Sequence, residues 1–70
     1  MQYMVVIEQA EDGYGAYVPD LPGYVAVGDT REEALSLIQE AIVLHLELLQ
    51  EEGLPIPQPH SVGEYVAVPT

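Results

Sequence analysis

The stretch from Asp12 to Ala34 reads DGYGAYVPDLPGYVAVGDTREEA, and its order of parts decides the fold. Asp12-Gly13 is a residue pair that hairpin turns favour, because glycine accepts positive φ freely. A strand follows over about Tyr14 to Val18, with Tyr14, Ala16 and Val18 on one face and Gly15 and Tyr17 on the other. Pro19 ends it, since proline has no amide to give to a ladder. Asp20-Leu21-Pro22-Gly23 is a turn: aspartate bonds its own backbone, proline presets φ and glycine takes the left-handed position. A further strand spans Tyr24 to Val27 and closes at Gly28. Thr30 to Glu33 is then a capping box, with a hydroxyl for the Glu33 amide and a carboxylate reaching back.

Upstream, Gln2 to Gln9 carries the β-branched run Val5, Val6 and Ile7, which predicts a central strand. Downstream, the helix is expected from Arg31 to about Glu52, stopped by Gly53 and forbidden to continue by Pro55. Stepping 100° per residue, Ala34, Leu35, Ile38, Ala41, Ile42, His45 and Leu49 share a stripe. Leu37, Leu44, Leu46 and Leu48 widen it, so the apolar arc covers roughly half the circumference, more than one sheet face requires. The surplus predicts a second burial surface, for which Leu44, His45 and Leu48 are the candidates. Leu54 to Pro59 (LPIPQP) is an extended connector, and Glu64 to Val68 is expected as a last strand. The expected fold is α+β, strand–strand–strand–helix–strand in a single domain over residues 1–70. Three strands are antiparallel, the fourth returns parallel to the first by a right-handed crossover, and one long helix covers one face.

Seventy residues without cysteine exclude a disulfide framework and thiolate metal sites. A core this small supplies only about 3–5 kcal/mol unaided, which leaves oligomerisation as the available reinforcement. A homodimer or homotetramer is expected. Twelve carboxylates face one cation, Arg31, for a net charge of -11. Nucleic-acid binding neutralises phosphates with lysine and arginine, so neither direct nucleic-acid binding nor an anionic membrane surface is expected. Such a charge suits a basic partner and speeds association with one. The N-terminus has no basic region before its short apolar run, and nothing approaches the roughly 20 apolar residues that span a bilayer. A cytoplasmic location is expected.

Catalytic chemistry finds little support. His60-Ser61 lies in a proline-rich connector, Thr30 caps a helix, and Ser36 falls on the helix's polar edge. His45 and His60 are fifteen positions apart, a poor start for a metal site, and no cofactor is expected. GYGAY is not a phosphate loop, because neither a helix start nor a Lys-Ser/Thr pair follows it. A metal-dependent nuclease would need converging acids, and Glu8 and Asp20 are its only candidates on strand one and at the corner. The surface candidates are the tyrosines and acids around the hairpin and corner, since tyrosine is enriched in contact hot spots.

Together, DGYGAYVPDLPGY, GDTREEA and a helix ending before LPIPQP resemble the HicB-like antitoxin family over about residues 1 to 68. The resemblance implies a partial ribonuclease-H-like fold without nuclease activity. It also implies a function: a non-catalytic antitoxin that binds and neutralises a small basic HicA-type toxin, an mRNA-cleaving ribonuclease. Such antitoxins commonly form dimers or tetramers. Asp12, Tyr14, Asp20 and Tyr24 are the expected partner-contact residues. This chain has Tyr24 where many members have a small residue. Many members also carry a C-terminal helix-turn-helix or ribbon-helix-helix module; no such motif is found after Val68, so operator binding is not carried over. The competing reading is an orphan homo-oligomeric scaffold or small-ligand module on the same fold.

Overall fold

The computed structural model describes all residues from Met1 to Thr70. Its elements are β1 (Val6–Ala10), β2 (Gly13–Tyr17), β3 (Val25–Gly28) and α1 (Arg31–Glu51). The strands form one antiparallel sheet in the order β1-β2-β3, with Val6 opposite Tyr17 and Tyr17 opposite Val25. The α+β class, the antiparallel strand trio and the single long helix agree with the sequence reading.

Several boundaries differ, each for a local reason. β1 starts at Val6 instead of Gln2 because β2 ends at Tyr17, one residue before Val18 and Pro19, and so offers no partner to residues 2–5. The first hairpin turns at Glu11 and Asp12, and Gly13 already belongs to β2. Neither turn residue has positive φ, so glycine is not there to permit a left-handed turn. It is there for space: a Cβ on Gly13 would lie 2.7 Å from the Gly28 carbonyl oxygen across the β2–β3 ladder.

The expected fourth strand is not formed. Glu64 to Val68 carries no secondary structure and pairs with nothing. The connector before it is held as far as Gly63, but Tyr65 is fully exposed and Val66 and Val68 are 81% and 71% exposed. Without an apolar surface above them, these residues gain too little to offset the entropy of ordering. β1 is consequently an open edge.

The helix begins as the capping box requires, with one shift. Thr30 Oγ1 accepts from the Glu33 amide at 3.1 Å, while Glu33 Oε1 accepts from the amide of Asp29 at 2.9 Å, one residue earlier than expected. Its end is a Schellman motif: the Leu54 amide donates to Leu49 at 2.9 Å, the Gly53 amide to Gln50 at 3.2 Å, and Gly53 has φ of 68°. α1 lies over β3 and β2 and reaches β1 only slightly. Ala34 and Ile38 are its fully buried residues, packed with Ala16, Val18 and Leu21 in the core.

Candidate interaction surface

The PDLPG corner is built around Asp20. Its side chain is wholly buried, although the residue is an acid at the end of a hairpin. Oδ2 accepts from the backbone amides of His60 at 3.0 Å and Ser61 at 3.1 Å, and Oδ1 accepts from the Ser61 hydroxyl at 2.7 Å. The His60 ring stands on the same oxygen, with Nδ1 at 3.1 Å. The Ser61 hydroxyl bond holds the Asp20 carboxyl below its ordinary value. Burial opposes that shift, and the two amides and the His60 charge reinforce it. This carboxylate fastens the connector to the corner across 40 residues of sequence, and no part of it faces outward.

Asp20, His60 and Ser61 are the residue types of a hydrolytic triad, but their arrangement is a clamp. The serine hydroxyl donates to the aspartate, and the histidine meets that same aspartate instead of the serine. No base therefore contacts Ser61 Oγ, which is what nucleophile activation needs. No three His, Asp or Glu side chains converge as a metal site.

Tyr24 and His45 form the second cluster. The Tyr24 hydroxyl and His45 Nδ1 are hydrogen-bonded, with ring centroids 4.4 Å apart and planes inclined at 47°. The sequence reading assigned Tyr24 to the partner contact and His45 to the oligomer contact; the structure puts them against each other. Beside this pair, Leu44 and Leu48 are 67% and 51% exposed, and Leu37 extends the same apolar stripe about two turns before Leu44. Tyr14 turns to the helix side of the sheet and packs partly buried against the core. Asp12 stays exposed at the hairpin tip, at the opposite end of β2 from Asp20. The four expected partner residues thus do not make one cluster.

The exposed charge has a direction of its own. Glu47, Glu51 and Glu52 lie exposed at the end of α1, and no basic residue accompanies them in the last turn. A helix C-terminus already carries partial negative charge, so acids and dipole add to one strongly negative pole. The sole cation, Arg31, sits at the other end. The sheet face away from the helix exposes Val25, Val27 and part of Tyr17.

The sequence reading weighed His60 and Ser61 only as a catalytic pair and missed that they clamp Asp20. A buried corner aspartate needs donors, and the only unassigned short polar pair downstream of the helix is this one, but nothing in linear order ties it to Asp20.

The profile of a family described as "HicB_like antitoxin of bacterial toxin-antitoxin system" matches residues 3–70, nearly the whole chain. The chain belongs to the HicB-like antitoxin family. It is 41% identical over 70 residues to Antitoxin HicB 2 and 42% identical over 71 residues to Antitoxin HicB 1, both of Photorhabdus laumondii. Each alignment covers 99% of this chain but only 50% and 46% of those proteins. This chain therefore spans about half the length of the named HicB antitoxins. A UPF0150 protein of Thermoplasma acidophilum is 44% identical over 59 residues, covering 83% of this chain and 86% of that one.

Proposed function

We propose that this HicB-like protein is a non-catalytic antitoxin that binds and neutralises a small basic toxin of the HicA type. Family membership carries the reading. The charge distribution supports it: a net charge of -11 with a negative pole at the end of α1 attracts a basic protein and repels RNA, the substrate of such a toxin. The clamp geometry at Asp20 supports the absence of catalysis, since it leaves no activated nucleophile. Asp12 and the exposed helix-end acids are the groups free to meet the toxin, and Tyr24, held by His45 at the corner end of the sheet, is a separate rigid aromatic contact.

Self-association belongs to the same reading. Leu44, Leu48 and the neighbouring Leu37 form an exposed stripe that a second copy would cover, making a homodimer or, with a second interface, a homotetramer. A partial ribonuclease-H-like fold and a cytoplasmic location belong to the same proposal; Glu64 to Val68, unpaired here, would supply the fourth strand of that fold only on pairing with β1.

Co-expression tests the function. A small basic protein encoded beside this one arrests growth alone; with this protein present, growth returns and the two co-purify. Growth arrest unrelieved by the protein, with no complex recovered, would overturn the assignment.

A further inference from the structure

The two edges of the sheet differ in what lies beside them. Along the β1 side, the chain's own Ser61 to Gly63 runs by Met4 and Val5, and Tyr65 shares a cleft with Val5, Ile7 and Gln9. β3 ends the order β1-β2-β3, and no hydrogen bond beyond its ladder with β2 reaches residues 25–28. The groups left free on it can be identified. The carbonyl oxygens of Ala26 and Gly28 turn toward β2, lying 3.9 Å and 2.7 Å from where Cβ atoms on Gly15 and Gly13 would stand. Bonding direction alternates along an antiparallel strand, so the amides and carbonyls of Val25 and Val27 point outward.

α1 overhangs this edge with apolar side chains. Leu35, Ile42 and Leu46 face the cleft above residues 3–5, on the β1 side of the buried Ala34 and Ile38. Leu37, Ala41, Leu44 and Leu48 lie on the other side of that buried line, roughly 70° around the helix, and so stand above β3. Leu37, Leu44 and Leu48 are exposed, as are Val25 and Val27 on the far face of the sheet. Five of the fourteen exposed large hydrophobic side chains therefore border one strand edge, more than gather on any other face. The accessible surface of 5474 Å² exceeds by roughly 1,100 Å² that of a folded monomer of this mass. A standard interface takes only about 800 Å² from each partner.

We propose that β3 pairs with β3 of a second copy, antiparallel across a two-fold axis, with the two α1 helices side by side above the joint. This rests on the self-association in the functional reading, gives it a geometry, and does not depend on the toxin. Register is the first fit. Pairing Val25 with the partner's Val27, and Val27 with the partner's Val25, uses every outward amide and carbonyl in four hydrogen bonds. Ala26 then lies on the axis, about 4.5 Å between Cα atoms from the partner's Ala26, as a pair without hydrogen bonds.

Spacing is the second fit. α1 lies over the boundary of β2 and β3, so its axis stands about 4.8 Å, one strand spacing, from a two-fold placed just outside β3. The two helix axes are then about 10 Å apart, a separation at which helices pack directly. Their level also agrees. Ala34 stands at Gly28 and His45 at Tyr24, so the two-fold at Ala26 crosses α1 near residue 40. Leu37 of one copy meets the partner's Leu44, and the reverse, with Ala41 between them. Any partner with a free strand would satisfy the four hydrogen bonds. Only one that also carries an apolar helix flank at the same offset covers the leucines, and a second copy does so by symmetry.

Val27→Pro tests the joint selectively, because it removes an outward donor and no bond of the β2 ladder. Leu44→Glu places a charge in the helix contact at an exposed position. Light scattering is done at high salt, which screens the charge of -11 on each copy. The native chain is expected to have a dimer mass and both variants a monomer mass, with helix content unchanged by circular dichroism. Ala26→Cys, in a chain without cysteine, is expected to oxidise to a dimer linked 26 to 26. A dimer that survives Val27→Pro overturns the strand joint; if Leu44→Glu dissociates it, self-association through the helix alone is left. A monomeric native chain overturns both, and toxin neutralisation remains a separate measurement. Should Val27→Pro lose its helix, a native dimer whose Ala26→Cys variant forms no 26–26 link overturns the joint. Exchange protection of the Val25 and Val27 amides that appears only on adding the neighbouring basic protein assigns the edge to the toxin, and overturns it too.

Discussion

Asp20 accepts three hydrogen bonds from residues 60 and 61, and its removal would release the connector from the corner. Asp20→Ala is expected to lower the melting temperature by several degrees and to speed amide exchange at His60 and Ser61. Its pH dependence has a definite sign. The carboxyl is held below its ordinary value in the folded chain, so its contribution is complete above about pH 4, the unfolded value. It is lost as pH falls through the lower folded value. The stability gap between the native chain and Asp20→Ala should therefore be constant at neutral pH and narrow below about pH 4, as thermal melts across pH would record. The Ser61 hydroxyl is the leading cause of the shift, so Ser61→Ala should move the narrowing toward higher pH.

At the scale of elements, the tightest joint is where α1 starts on β3. A Cβ on Gly28 would meet the Ala34 amide nitrogen at 2.7 Å and the Glu33 Cβ at 3.0 Å. Gly28→Ala should cost about 1–3 kcal/mol through forced displacement of the helix start. Thr30→Ala should cost about 1 kcal/mol by orphaning the Glu33 amide, without moving the helix. Chemical denaturation of both variants checks the pair, and equal losses would argue against the close approach. The far end behaves oppositely. Replacing Glu51 and Glu52 by lysine should stabilise α1 by about 0.5 kcal/mol, since cations suit a helix C-terminus, while weakening toxin binding. The elements were largely legible in sequence: the cap, the glycine stop and the proline corner are local signals whose chemistry acts within four residues. Three things were not legible. The length of β1 depends on where its partner ends, the Asp20 clamp joins residues 40 apart, and Glu64–Val68 has a strand's composition but no ladder to enter.

For the whole molecule, only seven of 70 residues are buried, so much of the apolar surface remains available to other chains. Two surfaces of different character divide that availability. The leucine stripe is apolar and suits copies of the same acidic chain, whose association should strengthen as salt screens their repulsion. The helix-end acids suit a cation-rich partner, whose association should weaken with salt. The measurement that tests the antitoxin account most directly is calorimetric titration of the purified protein with the neighbouring basic protein at low and high salt. The account predicts a saturable complex that abolishes RNA cleavage, with affinity falling at least about tenfold between 50 and 500 mM salt. No complex at either salt, or one that leaves RNA cleavage intact, would contradict it.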